Sequence, residues 1–325
     1  MSGNDLFYDL TDQDFVVRGL PYRVDEEITP TDGRLPEDLT DHLDELAWAN
    51  RHVHMPTVWD APQGRGVRVA VLDTGIDTAH PALKDAIEDA ADFTGEGSVY
   101  DYDGHGTHCA GIIAGRETTV PFRGLAPRAR LLIAKVLNRD GRGEGEWVAE
   151  GLRWAYRKRA DIVSMSFSAR ASAPVLFEVI HQMLWLRRLL ICAAGNRGAL
   201  DQNSIGFPGR YSGVITVAAH DEYGNPTSFT SRGGEIDFIA PGANVWSTYP
   251  GGRYAKLSGT SMATPFVAGL AALILSKHIA ARHNRTPIRN NQDLHEHLLR
   301  LATHPGHHDN ATGYGALRPL RDFIP

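Results

Sequence analysis

Residues 67–77 read VRVAVLDTGID. Apart from Arg68, the run Val67–Leu72 is apolar on both faces; it ends at Asp73, before a Thr-Gly turn. A strand with no polar face has to be covered on both sides, as in a parallel sheet held between two layers of helices. Comparable runs recur at ARLLIAKVL (129–137), ADIVSMSF (160–167), LLICAAG (189–195), VITVAA (214–219) and EIDFIA (235–240). Segments with helical spacing lie between several of them, at roughly 105–115, 145–159, 172–188 and 262–282. The predicted fold is α/β: a doubly wound, mostly parallel central sheet with helices on both faces. Its crossovers should be right-handed, and its functional groups should gather at the carboxyl ends of the strands.

The chain has 325 residues, 42% apolar and 22% charged, with 33 Gly and 18 Pro. That composition supports a sizeable core and excludes a disordered or fibrous chain. Lys and Arg number 33 against 39 Asp and Glu, a net charge of −6, which lacks the basic footprint of a nucleic-acid binder. The longest apolar run, Phe266–Leu275, is too short to cross a bilayer, so no membrane partner is expected. The start, MSGNDLFYDLTDQDF, has neither the basic n-region nor the apolar h-region of a secretory signal, which points to the cytoplasm. Cys109 and Cys192 cannot form a disulfide framework and read as buried thiols. Residues 1–57 differ from the rest, with frequent acids and prolines at Pro21, Pro30, Pro36 and Pro56. They read as an extension laid on a domain spanning 58–325.

Three residues stand where chemistry is expected. Asp73 ends a strand, His105 opens a helix in DGHGTHCAG (103–111), and Ser261 stands at the mouth of an apolar helix in SGTSMATPFVAG (258–269). A serine hydroxyl is a weak nucleophile at neutral pH and needs a base within hydrogen-bond reach. An imidazole can take that proton and hand it to a leaving amine, while a carboxylate behind it fixes the tautomer and stabilises the imidazolium. A helix opening at Ser261 offers free N–H groups and a positive dipole end to a developing oxyanion. Pro265 reads as a first-turn proline, which forfeits no helical bond. Taken alone, Asp73 would be a strand-end turn residue and Ser261 a helix N-cap. Asp77, Asp103 and Ser258 read as structural, and His108 as a packed, hydrogen-bonded core histidine.

The order Asp73, His105, Ser261, with the motifs around them, resembles the subtilisin family of serine endopeptidases over residues 64–325. The resemblance implies a catalytic triad of these three residues. It also implies that Asn196, in LLICAAGN (189–196), donates its amide to the oxyanion beside the Ser261 N–H. No cofactor is implied for catalysis. A protein or peptide substrate would add as a strand between Asp140–Gly145, where Gly141 and Gly143 allow close approach, and Ser166–Ser168. The pocket for the residue before the cut bond would be walled by Ser166, Phe167 and Ser168 and by Ala193, Ala194 and Gly195, with its base near Gly206. These stretches carry no charge, which favours an apolar side chain. The family usually has Gly at the position of Ser168, and the added side chain narrows the pocket towards Leu, Met or Ala. Glu144 and Glu146, beside the groove, suit basic residues further upstream.

The segment VVRGLPYRVDEE (16–27) resembles the part of intracellular subtilisins that carries Leu-Ile-Pro-Tyr; this chain has Gly19, Leu20, Pro21 and Tyr22. In that branch the extension crosses the active site, and a proline without an N–H resists being cut. The implied protein is a self-inhibited precursor, activated by losing residues 1 to about 25; a PPII-like surface segment is the plainer alternative. The roughly 60 residues before the core are fewer than a folded pro-domain normally needs. The branch is commonly dimeric, so a homodimer is a possible partner state.

Of the family's calcium sites, the tight one is not matched, because Ala82 and Thr118 stand where an acid and an Asn are usual. The weaker one would use the carbonyls of Gly209, Tyr211 and Val214 with the Asp237 carboxylate, holding calcium or sodium. The pairs His52/His54, His295/His297 and His307/His308 lack zinc-motif spacing and read as surface residues. Two functions of other classes stay open: a catalytically silent peptide-binding protein on this fold, and an esterase. Ser261 stands in GTSMA rather than a G-x-S-x-G elbow, which weighs against the esterase. Among proteases, general turnover and dedicated processing of one precursor are not separated.

Overall fold

The computed structural model describes residues 17–19, 23–30, 48–52, 62–199, 203–280 and 288–318. The extension contributes β1 (Val17–Gly19), β2 (Arg23–Ile28) and α1 (Trp48–His52). Then follow β3 (Arg68–Asp73), β4 (Ile87–Asp92), α2 (His105–Ala114), β5 (Arg130–Lys135), β6 (Arg142–Gly143) and α3 (Gly145–Arg157). Next come β7 (Ile162–Met165), β8 (Phe167–Ser168), α4 (Pro174–Trp185), β9 (Leu189–Ala193), β10 (Ile215–His220) and β11 (Phe238–Pro241). The chain closes with β12 (Val245–Tyr249), β13 (Arg253–Ser258), α5 (Thr260–Ala280) and α6 (Asn291–Leu301).

The six apolar runs all become strands of one seven-stranded sheet, in the order β11-β10-β9-β7-β3-β5-β4, with every neighbouring pair parallel. Period-2 alternation divides their side chains between two cores. Val69, Val71, Leu131, Ile133 and Ile191 face α2, α5 and α6, whereas Ala70, Leu72, Leu132, Ala134 and Leu190 face α3 and α4. The architecture is the doubly wound α/β sheet predicted from the sequence. Cys109 belongs to the first core and Cys192 to the second, both free thiols and fully buried.

Among the described residues one helix is long and apolar enough to cross a membrane by length and composition, Thr260–Ala280, which extends well beyond the run Phe266–Leu275. It is buried on all sides from Thr260 to Ile274, the setting of a central core helix. The histidine pairs are only partly as expected. His297 is buried with its ring edge-on to His278, His295 bonds Asp237, and His308 Nε2 lies 2.8 Å from the Ile236 carbonyl oxygen. α6 is amphipathic, so His297 shares its inner face with Leu294, Leu298 and Leu301.

The hairpin of β12 and β13 packs across α2. Ser247 Oγ donates to His108 O at 2.7 Å, and Thr248 Oγ1 donates to Thr107 O at 2.8 Å. The approach is close because residue 111 has no side chain. A Cβ on Gly111 would lie 2.2 Å from Thr248 Oγ1 and 2.3 Å from Ser247 Oγ. Gly111→Ala should therefore destabilise the protein by about 1–3 kcal/mol, read as a lower urea midpoint at unchanged m-value.

Candidate active site

Parallel strands bring their carboxyl ends to one rim, and three adjacent strands deliver groups there. Asp73 is the last residue of β3, Ser166 follows β7, and Asn196 lies shortly after β9. His105 enters from α2, whose N-cap Gly104 takes a left-handed φ of 105°. Gly106 lets that first turn sit directly on the strand-end turn, since a Cβ there would be 2.4 Å from Gly75 O. His105 Nδ1 then lies 2.7 Å from Asp73 Oδ1, with both side chains buried. Asp73 Oδ1 also accepts the Thr74 N–H at 2.8 Å. Burial opposes charge on His105, but the Asp73 carboxylate, aided by the Cys109 sulfur, outweighs it and holds the imidazole well above its ordinary value.

The neighbouring polar residues take structural partners. Asp103 Oδ1 accepts the backbone N–H of His105 at 3.1 Å. Asp77 accepts the N–H groups of Ala79 and Gly251. His108 Nε2 lies 3.1 Å from Val245 O and 3.0 Å from Ala255 O, and burial pushes its pKa down to about 3, so it is a neutral core histidine.

Ser261 is the second residue of α5, and its Oγ donates to Ser166 O at 3.2 Å. Pro265 is not in the first turn, because α5 starts at Thr260 and the residue four before Pro265 is Ser261 itself. The missing proline N–H leaves Ser261 O without its helical donor. Ser166 Oγ, at 3.0 Å, and Cys109 Sγ, at 3.4 Å, bond to that oxygen instead. Cys109 Sγ is also 3.9 Å from His105 Nδ1, so one buried thiol touches both the imidazole and the start of the serine helix. Asn196 Oδ1 accepts Thr260 N at 2.9 Å and Thr260 Oγ1 at 2.8 Å, which fixes the amide with Nδ2 on the other side. Both Asn196 Nδ2 and Ser261 N lie within 4 Å of where a Cβ on Gly259 would sit. Thr260 and Cys109 escaped the sequence reading as site residues, since their partners are distant in the chain and only the fold joins them.

Strands β6 and β8 lie within the two segments expected to flank a substrate. Strand β1 lies between them, antiparallel to both, with Val17 opposite Gly143, Arg18 opposite Arg142 and Ser168, and Gly19 opposite Phe167. Leu20, Pro21 and Tyr22 lie outside the described residues. Strand β2 resumes at Arg23, opposite Ser258, three residues before Ser261. The predicted pocket walls meet nearby. Gly206 N donates to Ala194 O at 3.2 Å, and a Cβ on Gly206 would be 2.6 Å from Ser168 Oγ. A Cβ on Gly195 would be 3.8 Å from the same oxygen, so the Ser168 hydroxyl stands between Gly195 and Gly206.

Residues 64–315 match the Subtilase family. The chain belongs to the subtilase family. It is therefore a serine endopeptidase, acting on protein or peptide substrates and needing no cofactor for catalysis. Similar proteins include the "Intracellular serine protease" of Paenibacillus polymyxa, 44% identical over 229 residues, 68% of this chain and 70% of that protein. The "Major intracellular serine protease" of Bacillus subtilis is 38% identical over 269 residues, 80% of this chain and 81% of its own. "Subtilisin BL" of Lederbergia lenta is 42% identical over 263 residues, covering 80% and 93%.

The residues this subtilase offers for the weaker cation site do not fit a hard cation. Asp237 Oδ1 is 2.9 Å from His295 Nε2, and Oδ2 accepts Thr216 N at 2.7 Å. Gly209 O accepts Thr216 Oγ1 at 2.7 Å and Tyr211 O accepts Val214 N at 3.2 Å. The one anionic side chain of the set is thus already bonded through both oxygens, and α6 supplies an imidazole where an ion would need open ligand positions. Unfolding temperatures in millimolar EDTA and in millimolar calcium should agree within about 2 °C; a larger rise with calcium would overturn this reading of Asp237.

Proposed function

We propose that this subtilase cuts peptide bonds with Asp73, His105 and Ser261 as its triad, and that its N-terminal extension holds it inactive. The 2.7 Å contact between Asp73 Oδ1 and His105 Nδ1 carries the reading. A carboxylate there keeps the imidazole proton on Nδ1 and leaves Nε2 as the base. Nε2 takes the Ser261 proton as Oγ attacks the scissile carbonyl carbon. The resulting oxyanion accepts from the Ser261 N–H and Asn196 Nδ2, whose direction Thr260 fixes. The imidazolium then protonates the leaving amine, and water, activated by the same nitrogen, releases the acyl group. Ser168, standing in the pocket wall, favours Leu, Met or Ala before the cut bond. The relatives named as intracellular support a cytoplasmic setting.

The register of β1 supports self-inhibition. A substrate strand pairing with β6 and β8 would need the position β1 holds. Removing residues 1 to about 25 should raise both peptidase activity and fluorophosphonate labelling, with the label on Ser261. Equal activity of the full-length and shortened proteins would remove the inhibitory role, and absence of label would remove the triad. Given a peptide library, the shortened protein should cut after Leu, Met or Ala; dominance of Phe, Tyr or Lys would refute the narrowed pocket.

The pH dependence has a definite sign. Only the neutral imidazole is a base, and Asp73 holds the His105 pKa up. kcat/KM should therefore fall as pH drops through a midpoint above roughly 6.5, the ordinary imidazole value. Asp73→Asn should move that midpoint down as well as lowering kcat.

A further inference from the structure

Asp101 lies four residues before His105 and is completely buried, yet it makes no ion pair among the described residues. Donors converge on it instead. Oδ1 accepts Thr74 Oγ1 at 2.8 Å, Gly104 N at 2.8 Å and Asp103 N at 3.2 Å. Oδ2 accepts Thr107 N at 2.8 Å and Thr107 Oγ1 at 2.7 Å. These donors come from two distant stretches of chain. Thr74 is the neighbour of Asp73, while Gly104 and Thr107 flank His105. Thr74 closes the loop, since its Oγ1 also accepts Gly106 N at 2.9 Å and its N–H donates to Asp73 Oδ1.

We infer that Asp101 is a positioning residue for the reaction, tying the end of β3 to the first turn of α2 so that His105 meets Asp73 at bonding distance. The role needs a carboxylate. Each oxygen faces only donors, and an amide would set its own N–H₂ against either Thr107 or Gly104 and Thr74. Burial outweighs the backbone and hydroxyl donors and raises the Asp101 carboxyl above its ordinary value, so it is the convergence of the donors on its two oxygens that carries the role. Asp101 touches neither the imidazole ring nor Ser261 in any hydrogen bond, so it acts through the residues it holds.

The inference rests on the triad reading above, and its test separates the two. In the full chain, the His105 Nδ1–H proton should give a far-downfield NMR signal. In Asp101→Asn that signal should broaden or move upfield while the remaining spectrum stays folded. The rate of fluorophosphonate labelling should drop by about 10- to 100-fold, the scale expected of a misplaced catalytic group. An unchanged signal and unchanged labelling rate in folded Asp101→Asn would overturn the positioning role. Should wild type fail to label both as the full chain and after removal of residues 1 to about 25, the triad reading falls, while the proton signal still reports whether Asp101 sets the contact. If Asp101→Asn does not fold, Thr107→Val removes one hydroxyl donor and should shift the signal and slow labelling to a smaller extent, with Thr107→Ser restoring both. No change in Thr107→Val would count against the inference.

Discussion

A carboxylate and an imidazole share a hydrogen bond with no solvent around either, and the rest of the molecule is arranged so that this is tolerable. Removing two ionisable groups from water is costly unless their remaining positions are occupied. Here Thr74 N takes part of the Asp73 capacity, and the turn after β3 presses directly on the first turn of α2. That geometry is available only because the strands run parallel. Their ends then share one rim, where backbone N–H and C=O groups no longer needed by the sheet can serve side chains. Ser166 shows the economy of it: its carbonyl receives the Ser261 hydroxyl while its own hydroxyl returns a bond to the Ser261 carbonyl.

How much of this was legible beforehand depended on whether the signal was local. The interior strands announced themselves because a surface buried on both faces leaves no room for polar residues, as in Val67–Leu72 and Leu189–Ala193. Strand β4, IEDAAD, did not, because an edge position leaves its acids partly accessible to solvent and so needs no apolar run. The β12–β13 hairpin also passed unnoticed: Val245–Tyr249 is wholly buried but includes Ser and Thr, whose hydroxyls bond carbonyls of α2. Asp73, His105, Ser261 and Asn196 could be picked out by type and local setting. Thr260 could not, for its meaning lies in an amide 64 residues away.

Two expectations failed for reasons that are physical. Pro265 is not a first-turn proline even for a helix that opens at Ser261, because Ser261 O is then already the acceptor four residues back and loses its donor. The donors expected to hold an ion were read from backbone positions and one acid, with no means of knowing that α6 would bring His295 onto that acid.

The three-residue strand between β6 and β8 would be a feeble ligand if it were a separate peptide. It is joined through residues 20–22 to β2, whose ladder runs along β13 and is reinforced by the Glu27–Arg253 ion pair. If β1 is the inhibitory element proposed above, this tether makes its binding intramolecular, at an effective concentration no free peptide of that length could match. On that reading, severing the chain anywhere between Gly19 and Arg23 would change no residue of β1 and still abolish its advantage, because the released fragment would be diluted into the surrounding solution.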